Sequence, residues 1–379
     1  MKDYPIKHIA KLLHLRYIGL SHTPVRKLPK EIGHLKFLQT LLLDDTGVKE
    51  LPSSVGLLKQ LMCLRADEKT RVPDWIGEMT SLVELEMYHE VLPNLVFRET
   101  PRVQKQEMHS GSDNKCSVRR FVKELGNLRN LRVLKTGLHL RDPGQGREFL
   151  ESLSKLHKVQ AVSILLPAAF LQMDMGTEPR FALSSLRTLE LLNLEFSKLP
   201  AWMNGECLPN LCQLTVLLTD PDEQDVGNLG TLRQLRDLML GIIRYHRLRL
   251  TVCGCGGFQS LRFLHVEPLQ FVPGAMPRLE NITFSITVFE LRDAKISFDF
   301  GLENLSSLQS LTVGMDCADA SPEEVEEAEA AIRHAVDTHP NHPSLLVKRS
   351  NEDKMGPVDA DSRIFSRQMY EVGTSILAV

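Results

Sequence analysis

The chain has 379 residues, 42% of them hydrophobic and 25% charged, which are ordinary globular proportions and enough to bury a large core. A formal net charge of −3 excludes a global positive field of the kind that draws nucleic acid, and the longest apolar stretch, Val159–Met173, is too short and interrupted to span a bilayer. The 7 cysteines include no C-x-x-C pair and the first residues hold no apolar leader run, so reduced thiols and a cytoplasmic or nucleocytoplasmic location are expected.

In chain order, the first feature is a self-repeat. Leu15, Ile18, Leu20, Thr23, Val25 and Leu28 superpose on Leu38, Leu41, Leu43, Thr46, Val48 and Leu51. The spacing L-x-x-L-x-L-x-x-(N/C/T)-x-L is the signature of a leucine-rich repeat. Its L-x-L part alternates with period two and predicts a short strand with one face buried. Thr23 and Thr46 fall at the following turn, where a short polar side chain can bond backbone that the strand leaves unpaired. Leu28-Pro29 and Leu51-Pro52 then begin a helical return arm, with Pro expected at its first position.

The pattern continues through Leu64, Leu85, Leu134, Val162, Leu189, Leu214, Leu238, Leu264, Ile282 and Leu311. About a dozen coils at ~4.8 Å per strand step predict an α/β repeat solenoid, a leucine-rich-repeat horseshoe with a parallel concave sheet and short helices or turns on its convex side. Its expected extent is residues 1–315. The polar, aperiodic stretch at about 93–120 reads as a loop insert, with Arg119 and Arg120 on a solvated face. A second loop is expected at Arg141–Glu148 before an amphipathic segment, and a third at Gly314–Pro322.

Residues 316–349 should supply a C-terminal capping helix and strand. Ser321, Pro322 and Glu324 form a capping box with Pro at the first helical position, and Val325, Ala328, Ile332 and Ala335 make an apolar stripe. Residues 350–379 read as a flexible tail. The other end shows no such device: Leu12, Leu15, Ile18 and Leu20 are expected to expose one coil face. Either residues 1–14 form a minimal cap or the chain is the distal part of something longer, and the second reading is preferred.

A search for chemistry yields no catalytic residues, no cofactor site and no metal site. There is no phosphate-cradling G-x-x-x-x-G-K-[ST] and no G-x-S-x-G, and His89 begins H-E-V-L-P rather than a zinc-binding H-E-x-x-H. His339 and His342 read as a turn, Cys253 and Cys255 as a lone C-x-C, and the sequons at Asn281 and Asn304 as chance matches. What remains is the concave face, built from strand positions that alternate out of the core. The candidate partner-binding residues are Tyr17, Thr40, Asp44, Arg65, Asp67, Glu84, Glu86 and Tyr88 on the first four coils, then Lys135, Glu190, His265 and Glu267. Arg65 and Tyr88 are of types enriched at interface hot spots.

The wording of the repeats adds a resemblance. "LRYIGLSHTPVRKLPKEIGHLKFLQTLLLDDTGVKELPSSVGLLKQLMCLRAD", "VPDWIGEMTSLVELEMY", "FVKELGNLRNLRVLKT" and "AEAAIRHAVDTHPNHPSL" resemble the leucine-rich-repeat region of plant nucleotide-binding, leucine-rich-repeat disease-resistance proteins of the coiled-coil class, over about Leu12 to Lys348. The resemblance implies a protein partner: a pathogen effector, a guarded host protein, or a nucleotide-binding domain held inactive in cis or in trans. No nucleic acid, membrane span or enzymatic activity is implied. The family's nucleotide-binding domain and coiled coil have no counterpart here, so nucleotide binding does not carry over and the chain is expected to be a fragment or a repeat-only relative. The competing expectation is a repeat-only intracellular scaffold or substrate adaptor without an immune role.

Overall fold

The computed structural model describes residues 6–67, 70–71, 73, 75–87, 120–138, 140, 142–166, 171–173, 183–242, 250–252, 256–266, 269–293 and 298–356. They fall into two compact units, one from Met1 to Ile243 and one from Arg244 to Val379, and each is taken by itself.

The first unit is built on strands β1 (Tyr17–Gly19), β2 (Thr40–Leu43), β3 (Cys63–Ala66), β4 (Glu84–Met87), β5 (Val133–Gly137), β6 (Ala161–Leu165), β7 (Leu171–Met173), β8 (Thr188–Phe196), β9 (Gln213–Leu218) and β10 (Asp237–Ile242). All pair in parallel; β7 pairs with the far end of β8, past a register shift at Glu190–Glu195. The register sets Ile18 beside Leu41, Leu41 beside Leu64 and Leu64 beside Leu85, and continues through Leu134, Val162, Leu189, Leu214 and Leu238. From Leu41 onward each of these side chains is at most 1% exposed. Burying one aliphatic side chain contributes ~1.5–3 kcal/mol, and no coil can bury its own without a neighbour.

The turns after the first two strands are held by the threonines the repeat supplies. Thr23 Oγ1 donates to the Leu20 carbonyl at 2.5 Å and Thr46 Oγ1 to the Leu43 carbonyl at 2.8 Å. Short 3₁₀ turns return the chain at Lys30–His34, Ser53–Leu57, Ile76–Glu78 and Leu125–Asn127. Pro29 and Pro52 stand one residue before the turn rather than at its first position, in extended conformation (ψ 145° and 143°). Their missing N–H still costs nothing there, and their carbonyls accept from Ile32 and Val55 at 3.1 and 2.9 Å.

Glycine recurs on these return arms because the coils approach closely. A Cβ on Gly33 would lie 2.7 Å from the Ser54 carbonyl oxygen, and one on Gly77 would lie 2.3 Å from Glu124 Cβ.

The helices of this unit include α1 (Pro143–Ser154) and α2 (Glu223–Gly230). The first corrects the loop expected over Arg141–Glu148. Asp142 caps the helix by accepting from the Gln145 N–H at 3.0 Å, and Pro143 opens it; the glycines at 144 and 146 obscured that start. At the N-terminal end, Leu12 is 57% exposed, as expected. Ile18 corrects the expectation: it is 5% exposed, because it stands in register beside Leu41.

The second unit has a parallel sheet of β12 (Phe263–Val266), β14 (Asn281–Thr287), β15 (Ser310–Asp316) and β16 (Ser344–Ser350), and a separate pair, β11 (Thr251–Val252) with β13 (Gln270–Phe271). The third expected loop is corrected over Gly314–Asp316, which continue β15 because β16 pairs with it as far as Asp316 and Ser350. After the short α3 (Val288–Asp293), helix α4 (Pro322–Asp337) forms with its capping box intact. Ser321 Oγ accepts from the Glu324 N–H at 3.2 Å, and the Ser321 N–H donates to Glu324 Oε2 at 3.0 Å.

Val325, Ala328 and Ile332 are buried, but the fourth buried residue is Val336 rather than Ala335. Glu329 ties α4 to β16 by accepting from Arg349 Nε at 2.8 Å, while Arg333 and Arg349 hold its carboxyl below the usual range. Of the tail, Asn351–Gly356 lie against the turn before α4, with the Gly356 N–H donating to the Ala320 carbonyl at 3.2 Å; the rest lies outside the described residues. Asn304 Nδ2 donates to the Phe271 carbonyl at 3.0 Å, so the second sequon's amide is engaged within the fold. Among the described residues no helix is long and apolar enough to cross a membrane.

Replacing Gly33 with alanine should lower the melting temperature, although alanine is the better helix former. Leu41→Ala should cost ~2–5 kcal/mol in equilibrium denaturation. An unchanged melting temperature for Gly33→Ala would show that the return arms have room to spare.

Candidate functional site: the outward face of the first sheet

The parallel register sorts the outward side chains of the first unit into rows. One row runs Tyr17, Thr40, Cys63 and Glu84; the next runs Leu42, Arg65, Glu86, Lys135, Ser163 and Glu190. Seven of the candidate residues therefore stand in these two rows on one face although they lie far apart in sequence.

Within the rows, Arg65, Glu84, Glu86 and Lys135 form a charge network. Arg65 Nη2 and Nε donate to Glu84 Oε1, the latter at 2.9 Å, and Nε lies 3.5 Å from Glu86 Oε2. Lys135 Nζ lies 3.8 Å from Glu86 Oε1. Burial raises the Glu86 carboxyl above its usual range, while Lys135 and Arg65 pull it back. Burial and the Glu84 carboxylate push the Cys63 thiol up to about 12. Tyr17, by contrast, is 58% exposed. Such a face can present alternating charge and one aromatic ring to a partner.

Asp44 and Asp67 serve the scaffold as well. Asp67 accepts from the N–H groups of Asp45 and Thr46 at 2.6 and 2.8 Å, clamping the turn of the coil before it. Asp44 accepts from Ser21 Oγ at 3.0 Å. Glu190 lies near Asp237, which the candidate set does not include. Burial, then Glu190, raises the Asp237 carboxyl.

His265 stands on β12 of the second unit, where burial lowers its pKa and Thr283 is its neighbour in register. Tyr88, Glu267, Cys253, Cys255, His89 and the insert up to residue 119 lie outside the described residues. Arg120 is exposed and pairs with Glu124 at 2.8 Å. His339 is buried in the turn after α4, where its Nδ1 accepts from the Asn341 N–H at 3.1 Å; His342 is exposed. Among the described residues no group of three or more His, Cys, Asp or Glu could hold a metal ion.

Sequence reading missed the polar residue just before the first leucine of several coils. Ser81, Asn130, Ser185 and Asn210 each donate to a backbone carbonyl of the preceding coil, at 2.7, 3.1, 2.8 and 2.7 Å. The signal was present as a recurring Ser or Asn at that position.

A family model for a leucine-rich repeat region matches residues 1–345. The chain belongs to that family. Solved structures similar to this leucine-rich-repeat chain include a leucine-rich repeat protein of Leptospira interrogans, at 18% identity and TM-score 0.48, covering 89% of this chain and 86% of that one. A plant peptide hormone receptor, RGFR1, solved in complex with RGF2, is 16% identical with TM-score 0.42, covering 92% of this chain and 61% of that one. An internalin of Listeria monocytogenes is 12% identical with TM-score 0.40, covering 92% and 88%.

A raised folded-state pKa at Asp237 means that its contribution to stability is full below the ordinary carboxylate range and is lost as pH rises through the folded value. Asp237→Asn should therefore raise the melting temperature at neutral pH, and the gain should vanish near pH ~4. Thermal unfolding at the two pH values checks this, and an equal shift at both would refute it.

Proposed function

We propose that this chain is a non-enzymatic protein-recognition module of a plant disease-resistance protein. It reads a pathogen effector or a guarded host protein on the outward face of its first unit, or holds a nucleotide-binding domain in its inactive state through that face. The observation that carries the recognition reading is the register, which gathers Tyr17, Thr40 and Glu84 in one row and Arg65, Glu86, Lys135 and Glu190 in the next. The plant-defence reading is supported by the resemblance of the repeat wording.

Recognition follows from the electrostatics of those rows. Arg65 and Lys135 neutralise Glu84 and Glu86 in the free protein. A partner that carries its own charges must exchange those pairs for new ones, which penalises mismatched surfaces more than it rewards matched ones. Tyr17 adds a ring of low conformational entropy at the end of its row, and rings of that kind anchor interfaces.

Crosslinking of the tagged chain in plant tissue, followed by measurement of affinity for the captured protein, tests the reading. Tyr17→Ala and Glu190→Lys should each weaken binding by tenfold or more, the scale of a hot spot of ~2 kcal/mol, without lowering the melting temperature. Capture of ubiquitin-ligase components alone would instead favour the scaffold or adaptor function. Stoichiometric binding of nucleotide by the purified chain would defeat the proposal.

A further inference from the structure

The first unit has a second surface whose charge the recognition face does not use. It is the rim at the N-terminal ends of the strands, formed by the two residues before and the one residue after the first leucine of each coil. No Asp or Glu occupies any of these positions from Leu13 to Arg236, in a chain whose net charge is −3. Cations recur there instead: Arg16, Lys36 and Lys59 on the first three coils, then Arg129, Arg132 and Lys158 beyond the insert. Arg187, Arg233 and Arg236 complete the series, and all are exposed.

The rim is continuous along the described coils. Asn130 Nδ2 reaches the Thr80 carbonyl, Lys158 Nζ donates to Asn130 Oδ1 at 2.9 Å, and Ser185 Oγ reaches the His157 carbonyl. Neutral side chains thus fasten the coils while the charges are left over. Lys158 has a neutral amide and Lys59 a carbonyl (Gly56, at 3.4 Å), and among the described residues no rim cation is ion-paired. The outward face behaves oppositely: Arg65 and Lys135 are both paired. At the other ends of the strands acids gather, with Asp44, Asp45 and Asp67 and, further on, Asp220 and Asp222, the last paired with Lys198 at 3.1 Å.

Coils step by ~4.8 Å, inside the ~8 Å screening length at physiological salt, so cations of adjacent coils repel one another. Folding gains nothing from that repulsion; an anionic surface laid along the rim relieves it.

The rim also carries exposed apolar groups. Leu13, Phe37 and Met62 are 52%, 44% and 45% exposed, and His14 stacks on Phe37 with ring centroids 5.8 Å apart. A nucleic acid would satisfy the cations and leave Leu13 and Met62 in water. A phospholipid surface takes both, cations among the headgroups and apolar side chains at the acyl boundary.

We propose that this rim seats the first unit on an anionic phospholipid membrane. The rim side chains are not those of the outward rows, so a partner and a membrane do not compete for them.

Co-sedimentation of the full chain with vesicles tests this. Binding to phosphatidylcholine vesicles containing about 30% phosphatidylserine should exceed binding to pure phosphatidylcholine at least tenfold and should fall as salt is added. Arg129→Gln with Arg132→Gln should weaken it about twenty-five-fold, from about fivefold per cation. Arg233→Gln with Arg236→Gln provides the same measurement should the first pair disturb folding. Leu13→Ser with Phe37→Ser should weaken binding while leaving its salt dependence in place. Lys27→Gln with Lys49→Gln, which removes equal charge away from the rim, should change binding less than twofold. Equal binding to both vesicle types, no binding to either, or an equal loss from the Lys27 and Lys49 pair would overturn the proposal. So would binding of single-stranded nucleic acid at the same salt without vesicle binding, which would assign the rim to nucleic acid.

Discussion

Everything in the first unit depends on one constraint: a coil's leucines are buried only by the coil beside it. Leu41, Leu64, Leu85 and Leu134 are fully buried because parallel pairing sets them level with one another. That pairing also decides where every other side chain goes. Residues one position along the strand are forced outward and fall into rows, and residues flanking the first leucine are forced to the rim. Stability in such a stack is close to a sum of neighbour terms, so a local defect is felt mainly by the coils on either side.

Much of this was legible in the sequence because the constraint is periodic. The leucine positions, the turn threonines and the capping box at Ser321 follow from spacing alone, and each has the partner that spacing implied. What escaped was set by contacts between coils rather than within one. Gly33 is needed because of Ser54, a residue of the next coil. Asp67 looks like an outward acid, yet its oxygens are spent on the turn one coil back. The start of α1 was hidden for a different reason: Gly144 and Gly146 argue for a loop, and Asp142 with Pro143 outweighs them.

The candidate face was legible as a set of positions but not as an energetic pattern. The alternation rule places Arg65, Glu84, Glu86 and Lys135 on one side; only coordinates reveal that they neutralise one another. Sorting the charges changes the picture of the molecule. The outward face is balanced in its middle, the strand C-terminal side mixes acids with cations such as Lys198, and the strand N-terminal rim is basic, so a small net charge conceals an uneven distribution.

Cys63 lies in the middle of the outward row, between Thr40 and Glu84. Peroxide and electrophiles act on thiolates, and a thiol at about 12 supplies almost none at cellular pH. Burial beside Glu84 therefore makes this thiol a poor nucleophile, where an accessible cysteine would usually be the reactive point of such a surface.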